Sequence, residues 1–144
     1  VKVEAGGHEV RQWLQERTGC GATGGFRSIV ARRSDGSIAG AVGFDLWTEN
    51  ACQAHIALDS PAALRALLRP LFSYVFEQAN KGLMMATIPG HNVRSLELVK
   101  SLGFHRRCII EDGWAEGVPL HLFIMDRRLC RYLDSPPNLE VAHG

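Results

Sequence analysis

An α/β (α+β) sandwich, built on a mixed but mostly antiparallel sheet with helices on both faces, is the fold class the sequence predicts. Three observations carry it. Between residues 26 and 58, short apolar runs alternate with turn residues, the pattern of an antiparallel meander. Stretch 60–82 then keeps apolar residues at helical spacing over several turns. Finally, a strand, a short loop, a helix and a strand succeed one another over 83–110. There Val93, Leu96, Val99 and Leu102 recur at helical intervals, and Gly103 stops the run before Phe104. Strands interleaved with helices in this order form a layered sheet-and-helix domain.

Taken in order, residues 1–7 show no pattern, and 2–4 is the only stretch there that offers a strand. Val10, Trp13 and Leu14 fall at i, i+3 and i+4, which predicts a short amphipathic helix ending near Gly19. Gly19, Gly21, Gly24 and Gly25 follow. Their spacing matches the start of a phosphate loop, but Gly25 and Phe26 stand where that loop needs Lys and Ser or Thr, so a flexible linker is predicted. Ile29 and Val30 mark a strand over 26–33, and SDGS at 34–37 supplies a hairpin turn. The return strand, 38–47, puts Val42, Phe44 and Leu46 on one face and Ala41, Gly43, Asp45 and Trp47 on the other. A turn at 48–50 leads to the strand 51–58.

Ser60 is a favourable N-cap and Pro61 suits the first helical position, where its missing N–H costs nothing. Leu64, Leu67, Leu68, Leu71, Phe72, Val75, Phe76 and Ala79 make this the clearest helix, with Pro70 predicting a kink or restart near Arg69. After Lys81 and Gly82 comes a buried strand, 83–88, and the helix that opens at Asn92. Strands 104–110 and 120–125, joined through 111–117, imply a hairpin. A final turn is expected at 127–133 and a mobile tail at 134–144, so the domain is placed at 1–133.

Composition narrows the function. With 144 residues, 46% hydrophobic and 22% charged, the chain can bury a core without disulfides or metals. Sixteen Lys and Arg against fifteen Asp and Glu leave a net charge of +1, which argues against nucleic acid or a membrane surface as partner. A nucleic-acid reading of Arg27, Arg32, Arg33, Arg106 and Arg107 fails on the same balance. Cys20, Cys52, Cys108 and Cys130 form no CxxC pair, and no histidine stands at ligand spacing, so no metal is expected. No signal-peptide pattern and no apolar run of about 18 residues is present, which points to a reduced, cytoplasmic setting.

The run NVRSLELVKSLGF (92–104), with LMMATIP (83–89) before it, resembles a motif of the GNAT superfamily of acyl-coenzyme A dependent N-acetyltransferases. The likeness spans roughly residues 26 to 126. The phrases WTEN, AHIA and DSP, with the Asn-to-Gly-Phe helix, are similar to the ribosomal-protein N-acetyltransferase type and to phage-encoded members. This resemblance implies that acetyl-CoA enters a splay between two central parallel strands, 51–58 and 83–88. Backbone groups of Ile56, Ala57 and Leu58 would then bond the pantetheine arm. It also implies that the pyrophosphate sits on the helix N-terminus over Ala62, Ala63, Leu64 and Arg65. An amine, on a small molecule or a protein N-terminus, would be the acceptor, and a homodimer is left open.

Two departures from the family pattern stand out. Where the phosphate loop usually carries glycines, this chain has Asp59, Ser60, Pro61, Ala62, Ala63 and Leu64, with Arg65 and Arg69 to offset the added charge. Val99 occupies the place of the tyrosine that often protonates the departing thiolate. Ser95 is the candidate on the same helix, with water as the other acid. Asn92 is read either as an N-cap or as a cofactor contact. For the general base, His55 is the leading candidate, because an imidazole suits proton removal from an amine, with Glu49 and Asp45 as alternatives. His91 and His121 are read as structural, and Trp47 and Trp114 as packing or groove walls. The competing expectation is a non-catalytic GNAT-like binding or structural protein whose altered loop no longer holds CoA.

Overall fold

The computed structural model describes residues 1–21 and 24–133. Seven strands form one sheet in the order β1-β2-β3-β4-β5-β7-β6. They are β1 (Lys2–Ala5), β2 (Arg27–Arg32), β3 (Ile38–Asp45), β4 (Ala51–Leu58), β5 (Leu83–Pro89), β6 (His105–Ala115) and β7 (Val118–Asp126). Every neighbouring pair is antiparallel except β4 with β5. Three α-helices accompany them, α1 (His8–Thr18), α2 (Pro61–Ser73) and α3 (Val93–Leu102). The predicted mixed, mostly antiparallel sheet with helices on both faces is what the structure shows.

The two faces separate along the alternation of the strands. Val42, Phe44, Cys52 and Ala54 join the large core beneath α2 and α3, with Leu67, Leu71, Phe72, Val99 and Leu102. Val30 and Ala41 point the other way and pack on Val10 and Leu14 of α1. By the same parity Asp45, Gln53 and His55 face the α1 side. Close approach explains two glycines of β3. A Cβ on Gly40 would come within 2.8 Å of Ala63, so α2 presses its first turn onto the sheet there; one on Gly43 would strike the Phe26 ring.

Local chemistry sets the helix ends. Ser60 Oγ accepts from the Ala63 N–H at 3.2 Å and Asn92 Oδ1 from the Ser95 N–H at 3.2 Å, while Gly103 closes α3 at φ 102°. The candidate strand at 2–4 is β1, too short to show periodicity and defined by its pairing with β2. Three expectations change. The helix is not restarted near Arg69: α2 runs through Pro70, and the irregularity appears later, as a π turn over Tyr74–Gln78 with Ala79 N–H bonded to Tyr74 C=O. The segment 111–117 is not a loop, because β6 and β7 extend to a tight turn. A register shift between Ile110 and Ala115, with Asp112 at φ 57° accepting from Gly117 N–H at 2.7 Å, absorbs the extra residues. The final turn is a 3₁₀ segment, Arg127–Leu129, capped by Asp126. The predicted tail, 134–144, lies outside the described residues.

Candidate active site

The cleft begins where the parallel pair ends. β4 and β5 pair only from Ala51↔Leu83 to Gln53↔Met85, although β4 stays bonded to β3 as far as Leu58 and β5 to β7 as far as Pro89. From Ala54 to Leu58 and from Ala86 to Pro89, the facing edges therefore carry no ladder bonds to each other. Backbone polar groups left like this need partners, and an extended amide-containing chain can supply them. This is the expected splay, and Ile56, Ala57 and Leu58 lie along it.

At the closed end sits a group of polar side chains on the α1 face. His55 Nε2 lies 2.9 Å from Asp45 Oδ1, and Asp45 is only 3% exposed. A carboxylate only accepts, so the ring nitrogen beside it is the donor, and in a neutral imidazole the lone pair then falls on Nδ1. His55 Nδ1 has no hydrogen-bond partner among the described residues. The one sealed side-chain nitrogen without a partner among them is His121 Nδ1. Gln53 Nε2 donates to Thr87 Oγ1 at 2.8 Å, tying β4 to β5 just past their last paired residues. Gly43 pairs with His55 across the ladder, and the room left by its missing side chain is filled by Phe26.

The open end is built differently. Pro61 has no N–H, Ser60 Oγ already holds the Ala63 N–H, and the Ala63 side chain is fully buried on Gly40. Asp59 is paired with Arg17 of α1, at 3.3 Å to Nη2 and 3.5 Å to Nε. Its charge is thus partly neutralised by a residue that spacing did not indicate. Leu64 is half-buried and Arg65 exposed. Across the opening, a cavity of about 420 Å³ is lined by Arg17, Thr18, Gly19, Pro89, His91, Asn92 and Trp114.

The remaining candidates are dispersed. Glu49 is on the exposed turn before β4, whose first residue, Ala51, is about 13 Å along the strand from His55 at about 3.3 Å per residue. Ser95 is in the first turn of α3, and Val99 is buried in the core. Neither of the two tyrosines replaces it: Tyr74 packs on Phe44 and Trp47, and Tyr132 stacks on Phe72. The tryptophans pin the two ends of the glycine loop, since Trp47 Nε1 donates to Gly25 C=O at 2.9 Å and Trp114 lies against Gly19. Gln53, Thr87 and Phe26 went unrecognised in the sequence. A glutamine inside an apolar strand and a glycine in mid-strand were the available signals.

Sheet order, the single parallel pair and its splay define a GNAT-like fold. No family model and no curated protein sequence matches the chain. Solved structures do. The spermidine/spermine N-acetyltransferase SpeG from Vibrio cholerae, in complex with manganese ions, matches with a TM-score of 0.70 at 9% identity, over 99% of this chain and 96% of that one. A point mutant of the same enzyme gives 0.73 at 11% identity over 93% and 98%. SpeG in complex with CoA and spermine gives 0.65 at 12% identity over 84% and 76%. These likenesses establish the fold. Among the described residues no three His, Cys, Asp or Glu side chains gather to hold a metal, and no helix is long and apolar enough to cross a membrane.

Proposed function

We propose that the chain is an N-acetyltransferase that moves an acetyl group from acetyl-CoA to a primary amine. The observation that carries this is the His55–Asp45 pair on the strand that walls the splay. An ammonium group is not nucleophilic, so a base must remove its proton before attack. His55 Nδ1 is that base. Asp45 holds the ring and stabilises the imidazolium that forms. Bound acetyl-CoA supplies an activated thioester carbonyl. The unpaired backbone of Ile56, Ala57 and Leu58 bonds the pantetheine arm, and free N–H groups on that edge favour negative charge developing on an acyl oxygen. Asn92 and Ser95 border the arm at the open end. With valine at position 99, Ser95 or water returns a proton to the thiolate.

The acceptor is a small amine or a protein N-terminus. SpeG, crystallised with CoA and spermine, makes polyamines the first acceptors to try; the short phrases shared with the ribosomal-protein type make N-terminal peptides the second. Calorimetry with acetyl-CoA, followed by mass spectrometry of candidate amines, tests the proposal. Ligand at about 100 times its Kd should stabilise the fold by about 2.7 kcal/mol. Absence of both binding and acetylated product would end it.

One observation favours a second reading. The α2 N-terminus is satisfied by its own Ser60 and lacks the Pro61 donor, so it offers the phosphates few free N–H groups. On that reading the chain is a non-catalytic GNAT-fold binding or structural protein whose altered loop no longer holds CoA. Co-purification of tightly bound CoA would exclude it.

A further inference from the structure

We propose that a second cavity, at the N-terminus of α1, is a binding site for a small phosphate- or carboxylate-bearing molecule, separate from the splay. The cavity measures about 470 Å³, within the range of small-molecule sites. Its polar lining is supplied by His8, Arg11, Arg27, Ser28 and Gln78, with Phe26 and Tyr74 as aromatic walls, and none of its lining residues is acidic.

Three independent features point donors into it. The first is the helix end: Gly7, the N-cap of the eleven-residue α1, provides no side-chain cap, so the first N–H groups of the helix lack internal partners. Glu9, the acid of that first turn, is drawn away to Arg32, whose Nη2 donates to it at 2.7 Å. The second is Ser28, only 9% exposed, whose hydroxyl has no hydrogen-bond partner among the described residues. Its Oγ is directed at Gly6, where an added Cβ would collide with it, and both residues line the cavity. Among the described residues the one sealed side-chain atom without a partner is His121 Nδ1, so the Ser28 hydroxyl is not sealed and can donate to a ligand oxygen in the cavity that it lines. The third is the arginine pair. Arg11 has its guanidinium 5.3 Å from the Phe26 ring centroid, and neither it nor Arg27 is matched to a carboxylate among the described residues. On the α1 face the Arg11 guanidinium, free helix N–H groups and the Ser28 hydroxyl make a donor set for an oxyanion, while Arg27, which alternation puts on the other face of β2, adds positive charge to the lining. Ser28, Gly43 and His55 lie in one row across the sheet, which sets this site about 10 Å from the base, with the Phe26 ring between them.

The test is a titration of the full chain at low salt with inorganic phosphate and, separately, with acetate, followed by the amide resonances of residues 7–10. Saturable shifts at millimolar concentration with either anion are expected, and the anion that binds more tightly identifies the ligand's charged end. Arg11→Ala and Ser28→Ala should each weaken binding, the arginine change by about tenfold. Acetyl-CoA binding should stay within error in both, so this site and the transferase reading fail separately. The proposal is overturned if neither anion gives saturable shifts up to about 20 mM, or if both variants, with melting temperatures near that of the parent, bind as it does.

Discussion

The closed and open ends of the β4–β5 cleft are furnished in opposite ways. At the closed end polar side chains sit in a largely buried setting with purposeful partners: Asp45 on His55, Gln53 on Thr87. At the open end the groups that would meet phosphates are occupied by bonds within the protein, Ser60 on the Ala63 N–H and Arg17 on Asp59. Chemistry near the sheet centre depends on a few fixed groups, whereas phosphate contacts can be spread over solvent-facing cations such as Arg65 and Arg94. Under the proposed function, the polar group at the closed end does not depend on glycines at the open end.

The sharpest way to break that contrast is at His55. Replacing it with alanine should lower kcat by about 10²- to 10⁴-fold while leaving the affinity for acetyl-CoA nearly unchanged, read from steady-state thiol release and calorimetry. Equal loss of kcat and cofactor binding would mean that the two ends are not separable. Asp45→Asn should act through the imidazole and cost less, on the order of tenfold to a hundredfold in kcat with the amine KM preserved. Partial recovery in Asp45→Glu would mark Asp45 as a positioning residue; a uniform fall in stability across both variants would mark it as structural.

The open end predicts smaller effects. Arg17→Ala leaves Asp59 unopposed and should weaken binding by about threefold at low salt, with the difference fading as salt rises. Ser60→Gly removes one of the two acceptors of the Ala63 N–H, leaving the Ser60 carbonyl at 3.2 Å, at a helix cost of only a few tenths of a kcal/mol, and should tighten acetyl-CoA binding about twofold. An unchanged Kd in both variants would place the pyrophosphate elsewhere.

How much of this was legible in the sequence depends on the range of the interaction. The α3 cap at Asn92, its stop at Gly103 and the meander are written in neighbouring residues, and so is the parallel pair, because an intervening helix must return the chain. His55 was visible as a base, and Asp45 appeared only as a rival to it; the ladder register that makes them partners is a tertiary fact. Gln53 and Thr87, 34 positions apart, meet only because the strands on either side of α2 are adjacent. The β6–β7 extension escaped notice because its bulge puts Asp112 in a left-handed conformation that reads locally as a turn. Ser28 gave no signal at all, since an unbonded hydroxyl is defined by surroundings rather than by identity.

The smallest effect tests whether the closed end stays closed. Cys52 pairs with Met84 one step before the last β4–β5 pair and is fully buried, and burial, with the Asp45 charge adding to it, pushes its thiol up to about 12. Cys108 lies exposed on β6. Since the thiolate is the reactive form, iodoacetamide at pH 8 should modify Cys108 and leave Cys52 untouched in the native protein. The folded pKa is raised, so the stability held by the neutral Cys52 thiol is complete below the unfolded thiol pKa. It then falls as pH climbs from there toward about 12. Slow native-state labelling of Cys52, relieved by acetyl-CoA, would show that the paired end frays and that the cofactor closes it. Labelling that acetyl-CoA leaves unchanged would place the opening away from the cleft.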